Sequence, residues 1–201
     1  MKSLALVCFA LLLCVSYSHA QTAKGNMMVG GTLSLSKETP EDNNETQFSS
    51  TNFSPSFGYF VMDNLAVGAN LGFTSQTSKT PAFKTVSSSI GLGPFARYYK
   101  FTSNENFAFF GQAQLMFYSG KTETTAAGGS ATSKNSRTVI SISPGFSYFM
   151  TKRWALDLSI TGLVFQFEDP NKDNDDDKKT TIALGLSSLS PNLGLRYHFG
   201  N

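Results

Sequence analysis

Leu65-Ala66-Val67-Gly68-Ala69-Asn70-Leu71-Gly72-Phe73-Thr74 decides how the chain is read. The odd positions are Leu65, Val67, Ala69, Leu71 and Phe73. The even ones are Ala66, Gly68, Asn70, Gly72 and Thr74. A period of two places one set on each face of a strand, whereas a helix would smear both sets around its circumference. Residues 154–165 repeat the pattern, with Trp154, Leu156, Leu158, Ile160 and Val164 against Ala155, Asp157, Ser159 and Thr161. Residues 139–150 set Ile140, Ile142, Phe146, Tyr148 and Met150 against Ser141, Ser143, Gly145 and Ser147.

Reading outward from these segments gives eight strands, at 27–36, 46–61, 65–75, 86–100, 106–119, 137–150, 154–167 and 181–199. A change of parity between Leu186 and Leu189 predicts a bulge near Ser187-Ser188. Connections alternate in length. Tight turns fall around Asp63-Asn64, Ser103 to Glu105 and Thr151 to Arg153. Long polar loops are expected at 37–45, 76–85, 120–136 and 168–179. An even number of strands brings both termini to the side of the short turns. A weak repeat marks the strands that run toward that side: Ser54-Pro55-Ser56-Phe57-Gly58-Tyr59-Phe60 and Ser143-Pro144-Gly145-Phe146-Ser147-Tyr148-Phe149, with looser copies at Pro94 and Pro191. Proline removes a ladder donor, so each copy predicts a bulge at one shared height.

The solvent of each face follows from where charge is absent. A water-facing sheet surface carries Lys and Glu, yet the polar face here is Gly, Ser, Thr, Asn and Gln. Only Arg97, Asp157 and Arg196 fall within strand interiors. Hydrocarbon on the apolar face accounts for this, because a charge at mid-membrane depth costs about 2–4 kcal/mol. Small residues on the other face suit the narrow interior of an eight-stranded barrel. The expected fold is therefore all-β: an eight-stranded antiparallel up-and-down transmembrane β-barrel.

The N-terminus reads as a cleaved address. Lys2 precedes an apolar run at 4–15, and Ser18-His19-Ala20 offers the small residues a signal peptidase reads. Residues 1–20 are expected to be a signal peptide and 21–201 the barrel domain. Both cysteines, Cys8 and Cys14, lie in the signal, so the mature chain has no disulfide, thiolate metal site or cysteine nucleophile. Without Lys2 the basic residues fall from 16 to about 15 against 14 acidic ones, a balance that does not point to nucleic acid.

Tyr59, Tyr98, Trp154, Tyr197 and Phe199 fall within about one residue pair of the short turns or the terminus, where an interfacial aromatic girdle belongs. Residues 55–68, Pro-Ser-Phe-Gly-Tyr-Phe-Val-Met-Asp-Asn-Leu-Ala-Val-Gly, together with Gly93-Pro94-Phe95-Ala96-Arg97-Tyr98-Tyr99 and Leu193-Gly194-Leu195-Arg196-Tyr197-His198-Phe199, resemble the outer-membrane β-barrel domain family. That family includes small porin-like proteins and the barrel of outer membrane protein A. The resemblance covers the whole mature chain. It implies an outer-membrane location with long loops outside and both termini in the periplasm, and outer-membrane lipid as the surroundings. It also implies that Leu193, Leu195, Tyr197 and Phe199 form the signal read by the barrel assembly machinery. Gly200-Asn201 extend past the terminal aromatic that the family's pattern closes on.

Arg97, Asp157 and Arg196 share lumen-facing parity near the turn side and are expected to meet as a buried ion-pair network, structural or gating. The acidic run at 168–179 carries Asp169, Asn171 and Asp173 at the first spacings of a calcium loop. Asn174 stands where the turn glycine belongs and Thr180 where the closing glutamate belongs, so the run reads as a solvated surface loop. His198 is the mature chain's one histidine and lies away from the outer rim, so no Ser-His triad assembles there. No catalytic, cofactor-binding or metal site is expected. The function read from the sequence is a non-enzymatic structural or surface-interaction role, with a possible extracellular ligand at the long loops. A narrow porin for water, ions or very small solutes is the alternative.

Overall fold

The computed structural model describes residues 20–38, 46–169, 179–184 and 192–200. Residues 1–19 of the expected signal peptide, the calcium-like stretch at 170–178 and the bulge at Ser187-Ser188 lie outside them. A 3-10 turn at Ala20–Thr22 leads into ten strands: β1 Met27–Glu38, β2 Gln47–Met62, β3 Leu65–Lys79, β4 Phe83–Phe101, β5 Phe107–Ala126, β6 Gly129–Phe149, β7 Trp154–Ser159, β8 Leu163–Asp169, β9 Lys179–Leu184 and β10 Asn192–Phe199. All pairings are antiparallel between neighbours, and β5 pairs β6 while β1 pairs β10, so the order closes into a ring.

Ten strands fill eight positions. β7 and β8 both lie on β6, and the register against β6 shifts by one residue between Gly145↔Ser159 and Ile142↔Leu163. Likewise β9 pairs β8 and β10 pairs β7. The eighth strand expected at 181–199 is thus described at its two ends.

Two of the four long loops are strands instead. β3 and β4 stay paired up to Lys79↔Lys84, and Thr80 and Phe83 close the turn. β5 and β6 pair as far as Ala126↔Gly129, where Gly129 has φ 139°. The polarity of these stretches does not end the ladder. The alternating Thr and Ser of these arms pair across the strands, as in Ser87 with Thr122 at 2.9 Å and Thr85 with Thr124 at 3.3 Å. β-branched Thr also favours extended backbone. At 20 and 21 residues, β5 and β6 are about twice the length a bilayer requires.

The expectation of a bulge at each proline is corrected. Register runs straight past Pro55 and Pro94. The β2–β3 ladder omits the rungs at 54 and 55, and the β4–β5 ladder those at 93 and 94, and each resumes unshifted. A missing donor therefore costs rungs without a slip. Pro144 alone faces an irregularity, the 160–162 step in its neighbour, where Ile160 N–H donates to Pro144 O. Pro191 lies outside the described residues. The turn at Asp63-Asn64 holds as read, with Asn64 at φ 65°, a conformation asparagine tolerates.

Side chains are inverted relative to a water-soluble domain. Leu71, Leu92, Phe117, Ile142 and Leu158 are exposed on the outside, while Asn70, Arg97, Asp157 and Arg196 are buried within. At Gly93 the neighbouring strand comes so close that a Cβ would overlap the Leu115 carbonyl oxygen. Gly93→Val is expected to lower the stability of the refolded barrel by about 1–3 kcal/mol. Urea titration read by heat-modifiable gel migration checks this, and an unshifted midpoint would contradict the close approach.

Candidate functional site in the barrel lumen

Each strand running to the short-turn side ends in an aromatic dyad. Tyr59-Phe60 lies at or within two residues of the end of β2, as do Tyr98-Tyr99 in β4, Tyr148-Phe149 in β6 and Tyr197-His198 in β10. Alternation turns the first ring of each dyad outward and the second inward. The four inward rings are buried and meet across the lumen. Centroids are 6.0 Å apart for Phe60–Tyr99, 5.9 Å for Phe60–His198, 6.3 Å for Tyr99–Phe149 and 5.3 Å for Phe149–His198. Met28, Ala66, Ala108 and Ala155 fill the gaps, and the Tyr99 hydroxyl points at Met28 Sδ, 3.6 Å away. Eight strands leave an interior that such side chains can fill completely.

A further layer lies beneath this floor. Residues 21–26, from the 3-10 turn onward, cross the mouth, with Gly25 N–H donating to Phe60 O and Asn64 N–H to Thr22 O. Thr22 Oγ1 bonds Asn64 Oδ1 at 2.6 Å, and the Gln21 carbonyl lies 3.2 Å from His198 Nδ1.

Above the floor the structure brings Arg97, Asp157 and Arg196 together. Asp157 Oδ2 accepts from Arg97 Nη1 at 2.5 Å and also from Arg196 Nε, while Oδ1 accepts from Ser147 Oγ at 2.6 Å. All three charged side chains are at most 3 % exposed. One carboxylate faces two guanidiniums, so a positive charge is left over. It is spread over neutral acceptors and rings. Arg97 Nε donates to Gln112 Oε1 at 2.8 Å, Arg97 lies 3.9 Å from the Phe110 ring centroid, and Arg196 Nη1 donates to Ser56 Oγ at 2.8 Å. Such neighbours are what a buried ion set needs to offset its desolvation.

A polar cavity of about 270 Å³ sits on the cluster, lined by Asn70, Gln114, Ser141 and other hydroxyl and amide groups. Tyr118 roofs it, lying against Gly72 and Gly91, with the Arg137 guanidinium 4.6 Å from its ring centroid. Beyond Tyr118 a second polar cavity of about 290 Å³, bordered by Gln76, Asn135 and Glu168, lies toward the hairpin end. Among the described residues no three His, Cys, Asp or Glu side chains group as metal ligands.

Tyr59, Tyr98, Trp154 and Phe199 are exposed on the outer wall near the short turns, and Tyr197 is half-buried there between Trp154 and Phe199, at 4.9 and 4.7 Å between centroids. Leu193, Leu195 and Phe199 share that outward side of β10 with Tyr197. Sequence reasoning missed the aromatic floor and the Tyr118–Arg137 roof. The floor had a signal: an aromatic pair recurs at one position of the four repeats. The roof had none, because Arg137 looked like a strand end.

A family model described as the outer membrane protein beta-barrel domain matches residues 5–188. Among curated proteins no relative matches. Among solved structures, the attachment invasion locus protein Ail of Yersinia pestis matches with TM-score 0.52 at 14% identity, covering 88% of this chain and 99% of that one. Neisserial surface protein A matches with TM-score 0.46 at 16% identity, covering 87% and 96%. The N-terminal barrel of Pseudomonas aeruginosa OprF matches with TM-score 0.41 at 11% identity, covering 88% and 98%.

Asp157→Ala strands two guanidiniums and is expected to cost about 3–5 kcal/mol. Phe149→Ala opens the aromatic floor and is expected to cost a similar amount, about 3–5 kcal/mol. Equilibrium urea unfolding in detergent micelles measures both. Wild-type midpoints in either variant would remove that layer from the account of stability.

Proposed function

The chain belongs to the outer membrane protein β-barrel domain family, and from that premise we propose that it is a sealed, non-enzymatic barrel with a structural and surface-presenting role. The observation that carries the reading is the stack of closures across the lumen: the crossing segment at 21–26, the four aromatic rings, and the Arg97–Asp157–Arg196 cluster. Any solute path has to break all three. In this reading the ion cluster is structural rather than gating. The working surfaces are the outer wall and the hairpins β3–β4 and β5–β6.

The same reading places the hairpins outside the cell and both termini in the periplasm, with residues 1–20 removed on export. Tyr59, Tyr98, Trp154, Tyr197 and Phe199 then form the inner-leaflet girdle, where amphipathic rings are favoured. Leu193, Leu195, Tyr197 and Phe199 serve as the end recognised by the assembly machinery, and outer-membrane lipid surrounds the wall. The protruding β5–β6 arm, hydroxyl-rich and exposed near its tip, suits an extracellular ligand.

The porin alternative has one supporting observation, the two polar cavities of the lumen. The two readings part on conductance. The purified wild-type chain in planar bilayers is expected to show no discrete current steps at 1 M salt. Reproducible steps from the unmodified protein would favour the porin.

A further inference from the structure

We propose that the polar cavity above the Arg97–Asp157–Arg196 cluster is a dead-end binding site for a small monovalent anion such as chloride, admitted from the hairpin side. The inference goes beyond the sealed-barrel reading and assigns a ligand to the lumen itself.

The two lumen cavities differ in charge. The one nearer the hairpins is bordered by Arg137 and Glu168, cross-strand partners of opposite sign. The one over the cluster is lined by Arg97 and Arg196, and no carboxylate is among its described lining residues. Asp157 accepts from both guanidiniums and neutralises one charge of the two. A positive charge in excess therefore borders a buried space, where an unpaired charge is costly. The space measures about 270 Å³, several times the roughly 30 Å³ that a water molecule takes up in the liquid. An anion fits there together with part of its hydration shell.

Hydrogen-bond direction points the same way. A guanidinium only donates, so the bond from Arg97 Nε fixes the Gln112 amide with its oxygen toward Arg97. Gln112 Nε2 then donates to Gln114 Oε1 at 3.0 Å, and Asn70 Nδ2 donates to the same oxygen at 2.8 Å. The amide oxygens of Gln112 and Gln114 are thereby taken, and the group Gln114 has left to offer is its NH2. Ser141, 5 % exposed, lines the same cavity and carries a buried Oγ with no hydrogen-bond partner. Donors around an excess positive charge suit an anion and repel a cation. A divalent anion would overshoot the single charge in excess. The aromatic floor closes the way onward, so the site ends where the cluster begins.

The full chain, folded in nonionic detergent, tests this by equilibrium urea unfolding at constant ionic strength, with bulky gluconate exchanged stepwise for chloride. Raising chloride from about 1 to 300 mM is expected to lower the unfolding equilibrium constant roughly tenfold along a saturating curve. Ser141→Asp supplies the counter-charge covalently and should fold while losing the chloride dependence. Arg196→Gln removes the excess charge and should lose it too. A wild-type midpoint indifferent to chloride, an effect that climbs without saturating, or the same effect in a folded variant overturns the site and leaves water as the cavity's occupant. Should neither variant fold, crystals of the wild type grown in bromide decide: an anomalous peak beside Arg97 or Arg196 is expected, and a cavity without one sinks the proposal. None of these outcomes bears on whether the barrel is sealed, which conductance reads separately.

Discussion

A peptide group in hydrocarbon has no water to bond, and each one left unpaired costs several kcal/mol. Nearly everything about this molecule answers that constraint. The ladder is continued from strand to neighbouring strand and returned on itself through β1 and β10, so no described sheet edge faces lipid along the lower wall. Proline is admitted on the outer wall at Pro55 and Pro94, where two rungs are omitted and the register survives. Once the backbone is satisfied within the sheet, the side chains are free to be inverted, with Leu and Phe outside and the charges inside.

At the level of the floor and the ion cluster the interior is filled by side chains, with Arg97, Asp157 and Arg196 at most 3 % exposed. The chain supplies the partners there: rings against rings at the base, and above them a carboxylate held by two guanidiniums and a hydroxyl, with Gln112 accepting from Arg97. Ser56, Ser147, Gln112 and Phe110 surround the charges with the hydrogen-bond and ring partners that their burial requires. The alternating glycines serve the same economy. Gly72 and Gly91 make the space that Tyr118 occupies.

The period of two made the strands and the inward side of Arg97, Asp157 and Arg196 legible, because a strand has only two faces and a charge cannot choose the oily one. The hairpin arms were not legible. Residues such as Thr122, Thr124 and Ser133 are polar in a loop and equally polar in a ladder beyond the membrane, so composition could not place the end of β5. The aromatic floor was half legible. Tyr59 and Tyr98 drew notice as outward rings, but Phe60 and Tyr99 beside them have the parity reserved for small polar residues. Only the geometry of a narrow barrel explains why large rings belong there. Arg137 escaped because its partner, Tyr118, is remote in sequence and joined to it only by register.

The cluster on Asp157 also carries a timing. Arg97 comes with β4, Asp157 with β7 and Arg196 with β10, while Ser56 waits on β2. No partial sheet holds the set: without β10 the Asp157 carboxylate has one of its two guanidiniums, and the Ser56 hydroxyl lacks the Arg196 donor. The cluster is therefore complete only once the C-terminal strand has closed the ring between β1 and β7.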